Sequence, residues 1–304
     1  MRILPIVHHA DYTADTPSEH RFPMQKFARL AEVLIQDGLV SHGFIVPEPI
    51  TREQLLRAHS SDYVDGVLHR TLGPQEVRRI GFPLTAGVVR RAQLATGGTL
   101  LAARLALAQG LACNSAGGSH HAMAQHGAGF CVFNDVAVAA SNLLVETPAL
   151  KIMVIDLDVH HGDGTASIFA TEARVFTLSL HCDDNWPLVK PPSDCDIALP
   201  KNTGDSAYMA SLTAVLPNLL DRFAPDLVFY IAGVDPHKDD RLGKLSLTDA
   251  GLMARERYVI EHVRTRHIPL VTVLGGGYAS DIDALAARHA LVFHACADWI
   301  ASGQ

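Results

Sequence analysis

Between residues 151 and 164 the chain reads Lys-Ile-Met-Val-Ile-Asp-Leu-Asp-Val-His-His-Gly-Asp-Gly. An unbroken run of β-branched and aliphatic residues predicts a strand covered on both faces, as in parallel α/β sheets. Asp156, Asp158, His160, His161 and Asp163 crowd its C-terminal end, which is where open α/β sheets bind ligands. Alternate side chains of an extended backbone share a face, so Asp156, Asp158 and His160 are expected to point the same way. Partly buried carboxylates gathered there repel one another and lose hydration, and a divalent cation is the simplest compensation. Oxygen and nitrogen donors without thiolate suit zinc, with ferrous iron, cobalt or manganese as alternatives. A helix cap at Asp163 with the other acids solvated explains one such residue, but five within eight positions point to a metal.

Further apolar strand patterns at 2–9, 174–181, 226–233 and 269–274, and a short one from Leu111, alternate with helical patterns. The helices are predicted at 23–37, 51–57, 60–70, 83–108 (with a break at Gly97-Gly98), 134–146, from Thr165 to Phe169, 205–222, from Thr248 to about 266, and 281–299. Residues 182–204, with four prolines, read as a long surface loop of the kind that shapes a site rim. No linker or repeat interrupts the alternation. The expectation is one α/β domain over 1–304 with a mostly parallel central sheet flanked by helices. Apolar residues at 48% supply its core. His120-His121, Asp158 and His160, Asp235, and Tyr278 each follow an apolar strand and should share one edge of the sheet. Both histidines of the tandem pair can serve one site only if the backbone turns, which Gly117-Gly118 permits.

The net charge of -7 and the lack of any Lys/Arg block argue against a nucleic-acid partner. Five cysteines, an odd number without CxxC spacing, read as reduced core thiols. The N-terminal Met-Arg-Ile-Leu-Pro has no signal-peptide pattern, and no apolar stretch of about 18 residues occurs. A cytoplasmic protein without a membrane span is expected.

Four motifs in order resemble the histone deacetylase superfamily: Gly-Gly-Ser-His120-His121 with Gly129-Phe130-Cys131, the stretch from Ile155 to Gly164, Ala-Gly-Val-Asp235, and Gly-Gly-Gly-Tyr278. The compact length and Asp239-Asp240-Arg241-Leu-Gly-Lys-Leu-Ser-Leu-Thr resemble its class IV branch and bacterial relatives. The resemblance implies a three-layer arginase-deacetylase fold and a zinc-dependent amidohydrolase, with ferrous iron as an alternative metal. By motif position, Asp158, His160 and Asp235 match the metal ligands. His120 and His121 match the tandem histidines, Asp156 and Asp163 the acids that orient them, and Tyr278 the tyrosine that donates to the substrate carbonyl. Phe130 matches one wall of the acyl-lysine tunnel, lined further by Gly129 and Gly276, with Trp186 as the candidate second aromatic. Asp156, Asp158, His160, Ser179 and Leu180 match a monovalent-cation site, for which potassium is implied.

The chemistry so implied is removal of an acetyl or longer acyl group from lysine, with His121, partnered by Asp163, as general base and then acid, and His120 with Asp156 in electrostatic support. The alternative substrate is an acetylated polyamine, which the acids Asp183, Asp184 and Asp194 of the expected rim loop would suit. A noncatalytic relative would have lost a ligand, the histidine pair or the tyrosine, and all are present. His161, His181 and His237 lie near the site by position without an assigned role.

Overall fold

The computed structural model describes residues 3–17 and 19–303; the start of the expected first strand, at Arg2, lies outside the described residues. The central apolar run is strand β3 (Ile152–Asp156), buried at every position. Parallel neighbours cover both of its edges. These are β4 (Val175–Cys182), which sets Asp156 opposite Ser179, and β6 (Leu227–Ile231), which sets Asp156 opposite Ile231. With β1 (Ile6–Val7), β2 (Leu111–Asn114), β5 (Cys195–Leu199) and β7 (Leu270–Val273), the order across the described sheet is β1-β2-β7-β6-β3-β4-β5. Every strand pairing is parallel. Parallel neighbours require crossovers, which helices supply except between β4 and β5, where the helix-free segment 183–194 makes the return.

Those helices flank the sheet and account for the alternating sequence pattern. In chain order they are α1 (Lys26–Gln36), α2 (Arg52–Leu55), α3 (Ser61–Leu68), α4 (Pro74–Ile80), α5 (Ala86–Gln109), α6 (Asp135–Glu146), α7 (Asp163–Phe169), α8 (Asp205–Phe223), α9 (Asp249–Arg264) and α10 (Ile282–Ala301). Thr248 caps α9 as expected, its side chain accepting from the Gly251 N–H. The arrangement is the expected single-domain α/β fold, a parallel sheet between helices.

Three local expectations need correction. Helix α5 runs through Gly97-Gly98 without a break, because these glycines serve packing: a Cβ on Gly98 would strike the Tyr12 hydroxyl and Asn114, and one on Gly97 the backbone at Glu48. Residues 182–204 are not all loop, since β5 lies within them. Its alternating exposure and its acid at 196 hide an edge strand from a search for apolar runs. Helix α4 was not expected; it begins on Pro74, whose fixed φ suits a first turn, and ends on left-handed Gly81.

Candidate active site

The C-terminal ends of four adjacent strands, β2, β7, β6 and β3, deliver the candidate residues to one edge of the sheet. After β2, Gly117 (φ +86°) and Gly118 (φ +77°) take left-handed conformations. The chain turns there, so both His120 and His121 face the site. Asp135, the first residue of α6, holds that turn. Its carboxylate accepts from the backbone N–H of Gly118 (3.1 Å) and Ser119 (2.7 Å) and from the Thr99 hydroxyl (2.6 Å). The motif pattern passed over Asp135, although an acid at the start of a helix facing a glycine turn is a readable signal.

Asp158, His160 and Asp235 converge in a fully buried group able to hold a metal ion. His160 Nδ1 lies 3.0 Å from Asp158 Oδ1 and 3.1 Å from Asp235 Oδ2. The remaining carboxylate oxygens are committed to the backbone: Asp158 Oδ2 accepts from Gly276 N–H at 2.6 Å and Asp235 Oδ1 from Val159 N–H at 2.9 Å. Asp235 Oδ2 is buried without a well-directed hydrogen-bond donor, an orphan that a cation would satisfy. Burial and the neighbouring Asp158 push Asp235 up to about 7. Burial opposes charge on His160, yet the nearby carboxylates of Asp158 and Asp235 raise it to about 10. The two carboxylates thus draw a proton onto the imidazole between them, in the place where a divalent ion would balance their charge. Two carboxylates and one imidazole without thiolate fit zinc or ferrous iron and leave coordination positions open.

Beside this group stand two histidine–carboxylate pairs. His120 Nδ1 is 2.6 Å from Asp156 Oδ2, His121 Nδ1 is 2.6 Å from Asp163 Oδ1, and the two Nε2 atoms face each other at 3.0 Å. Burial opposes charge on His120, but Asp156 and Asp158 outweigh it and raise the group to about 9. Burial and the charge on His120 hold His121 down at about 3. One imidazole is therefore cationic at neutral pH and its neighbour neutral. The carboxylate on each Nδ1 directs Nε2 toward the open side of the site.

Tyr278, after β7, is held at both of its backbone groups: Asp240 accepts its N–H and Arg241 donates to its carbonyl. Burial and the carboxylates of Asp158 and Asp235 raise its phenol well above the ordinary range, so it stays a proton donor. Its ring lies 6.2 Å from that of His160 and 5.9 Å from that of Phe130. A cavity of about 30 Å³ opens between Phe22, Gly129, Phe130, Gly276 and Tyr278. Trp186 packs edge-on to His121, with ring centroids 4.5 Å apart. Phe22, which sequence reading missed, packs against both Phe130 and Tyr278. Nothing in its local sequence marks it as a site residue.

Lys26 was also missed. It is buried beneath the glycine triplet, its ammonium donating to the carbonyls of Gly275 (3.4 Å) and Gly277 (3.3 Å). Burial lowers it to about 8, against the pull of Asp235. A lysine opening an amphipathic helix looks like a solvated residue in sequence.

Across the β3–β4 pair, Asp156 and Ser179, two of the residues matched to a monovalent-cation site, are register partners. Asp156 already serves His120 through Oδ2 and the Asp158 N–H through Oδ1, and Ser179 Oγ lies 3.0 Å from His181 Nδ1. Of the acids expected at the rim, Asp194 is committed to the Thr177 backbone and hydroxyl of β4. Asp184 sits 3.8 Å from the ammonium of Lys201. Lys190 donates to carbonyls of the same loop, so the rim carries mixed charge. His237 lies between Asp239 and Asp249, outside the candidate site.

Comparison with known proteins agrees with this geometry. The profile of the histone deacetylase domain matches residues 20–295. An uncharacterized protein of Picosynechococcus sp. is 47% identical over 295 residues, covering 97% of this chain and 98% of its own. Histone deacetylase 2 of Arabidopsis thaliana is 30% identical over 269 residues, covering 85% of this chain and 70% of its own. The crystal structure of an HDAC homologue from Aquifex aeolicus superposes with a TM-score of 0.81 at 26% identity, over 96% of this chain and 83% of that one. No helix among the described residues is long and apolar enough to cross a membrane. The fold, the ordered motifs and these matches together show that the chain belongs to the histone deacetylase family and is a deacetylase-type hydrolase.

Proposed function

We propose that the chain, as one catalytic domain over 1–304, is a zinc-dependent amidohydrolase of the cytoplasm that removes acetyl or longer acyl groups from lysine side chains, with ferrous iron as the alternative metal. The observation that carries this reading is the convergence of Asp158, Asp235 and His160: one oxygen of each carboxylate lies 3.0 and 3.1 Å from the same Nδ1, and the Asp235 oxygen, Oδ2, has no well-directed donor. Bound there, the metal supplies Lewis acidity and a water of pKa about 7.

The chain's own groups would perform the rest. Neutral His121, fixed by Asp163, takes the proton from the attacking water and returns it to the leaving lysine amine. Cationic His120, fixed by Asp156, stabilises the negative charge that develops on the carbonyl oxygen. The Tyr278 hydroxyl donates to that same oxygen. Phe130, Gly129 and Gly276, with Trp186 at the mouth, would enclose the methylenes of the lysine and exclude water. A potassium ion beside Asp156, Asp158, His160, Ser179 and Leu180 would brace the strand end beneath these groups.

A polyamine substrate has less support, since Asp194 is engaged in β4 and Asp184 faces Lys201. Leu188 and Val189, 91% and 81% exposed next to Trp186, give the rim apolar surface better matched to a peptide than to a polycation. The test is turnover of acetyl-lysine peptides, longer acyl-lysine peptides and acetylated polyamines by zinc-reconstituted protein. Peptide turnover is expected. Turnover of polyamines alone would replace this reading with its alternative.

A further inference from the structure

His160 and His161 are adjacent, yet their rings meet different neighbours, that of His160 packing against His121 and Tyr278 and that of His161 against His181. His160 enters the candidate active site. His161 turns outward to a second cluster at the C-terminal end of the sheet's outer edge. Register between β4 and β5 pairs Ser179 with Asp196 and His181 with Ala198, so Ser179, His181 and Asp196 share one face of the sheet. The His161 ring lies over that face, edge-on to His181 with centroids 4.7 Å apart, and its Nε2 is 3.0 Å from Asp196 Oδ1. One donor atom from each of His161, His181 and Asp196 falls within 4.8 Å of the other two.

We infer that His161, His181 and Asp196 form a second site for a divalent transition-metal ion, separate from the catalytic group and open to solvent on the Asp196 side. Two imidazoles and one carboxylate are the donor set that zinc takes in three-ligand sites, with water completing the coordination. The supporting contacts are those of ligands rather than of a lone ion pair. His181 Nδ1 is oriented by the Ser179 hydroxyl at 3.0 Å, which leaves its Nε2 as the donor. Asp196 Oδ2 is held by the Ser193 N–H at 2.9 Å, which leaves Oδ1 as the donor. Such outer contacts fix ring tautomer and carboxylate orientation at metal sites. His161 and His181 are buried while the Asp196 side chain is 31% exposed, so an entry path exists. A simple His–Asp pair accounts for His161 and Asp196 but not for a second imidazole brought edge-on to them. An ion here would tie the outer strand β5 to the loop that also carries His160.

Equilibrium dialysis of the metal-free full chain against Zn²⁺, followed by elemental analysis, tests the inference. Wild type is expected to take up two ions per chain, and Asp196→Asn and His181→Gln one each. Asp235→Asn, which empties the catalytic group, is expected to keep the outer ion. Near-ultraviolet circular dichroism identifies variants that have lost their packing, and His161→Gln replaces any such variant. One ion in wild type that is lost in Asp235→Asn and kept in Asp196→Asn would overturn the second site while leaving the proposed function intact. Two ions in wild type and in every outer-site variant would overturn it as well, by locating the second ion elsewhere.

Discussion

Oδ2 of Asp240 accepts the backbone N–H of Tyr278 at 2.6 Å, and its other oxygen takes the N–H groups of Leu242 (2.8 Å) and Gly243 (2.9 Å). The position of the tyrosine hydroxyl therefore depends on a carboxylate 38 residues away in sequence. Replacing Asp240 with alanine leaves three donors unpaired and should destabilise the fold by about 1–3 kcal/mol for each donor that stays buried. It should also lower kcat with little change in KM. Because Asp240 acts through Tyr278, Asp240→Ala combined with Tyr278→Phe should be no slower than Tyr278→Phe alone. Additive losses in a double-mutant cycle would show that Asp240 acts independently.

The two histidine–carboxylate pairs should differ in weight. Asp163→Asn removes the acceptor that sets the His121 tautomer and should lower kcat by about 10²-fold or more, as expected for loss of a general base. Asp156→Asn should lower it less, since His120 supports charge rather than carrying the proton. Steady-state kinetics at matched zinc content compares them, and equal losses would contradict the assignment.

Lys26→Met should expose how much the site rests on a buried cation. The carbonyls of Gly275 and Gly277 lose their donor, at a cost of about 1–3 kcal/mol. For 304 residues, at about 2.1 cal/mol/K of unfolding entropy per residue, each kcal/mol lowers Tm by about 1.5 °C. Thermal unfolding of the metal-free protein measures it, and an unchanged Tm would show that the ammonium only fills space.

Much of this architecture was legible before the structure. The apolar runs located the interior strands because strands covered on both faces have no polar alternation, and the strand ends located His120, Asp158, Asp235 and Tyr278. What stayed hidden was long-range or solvent-like in sequence. Strand β5 alternates half-exposed residues, Lys26 opens an amphipathic helix, and Phe22 sits in a loop whose proximity to Tyr278 exists only after folding. The pairing of His161 with Asp196 depends on the register of an edge strand whose alternating exposure and proline-rich flank resemble a loop in sequence.

Acid should loosen the histidine turn. His59 is buried, accepts the Asn134 N–H on Nε2 and faces the Met123 carbonyl with Nδ1, and the Asn134 side chain in turn donates to the His120 carbonyl. Burial lowers His59 from 6.5 to about 4. Above pH 6.5 the residue is neutral in folded and unfolded chains and has no effect. As pH falls from 6.5 toward 4 the unfolded chain takes the proton first, so stability is lost across that window, by up to about 3 kcal/mol. Denaturant midpoints at pH 7.5 and 5 should differ in wild type and differ less in His59→Gln. The same difference in both would assign the acid sensitivity to other groups.

The most direct test of the central claim is acetate release from an acetyl-lysine peptide by zinc-loaded wild type and Tyr278→Phe, with metal content measured in both. The account predicts turnover by wild type and a loss of about 10²- to 10³-fold in kcat in the variant, at equal zinc occupancy. Equal turnover by the two proteins, or none by wild type with its zinc bound, would contradict it.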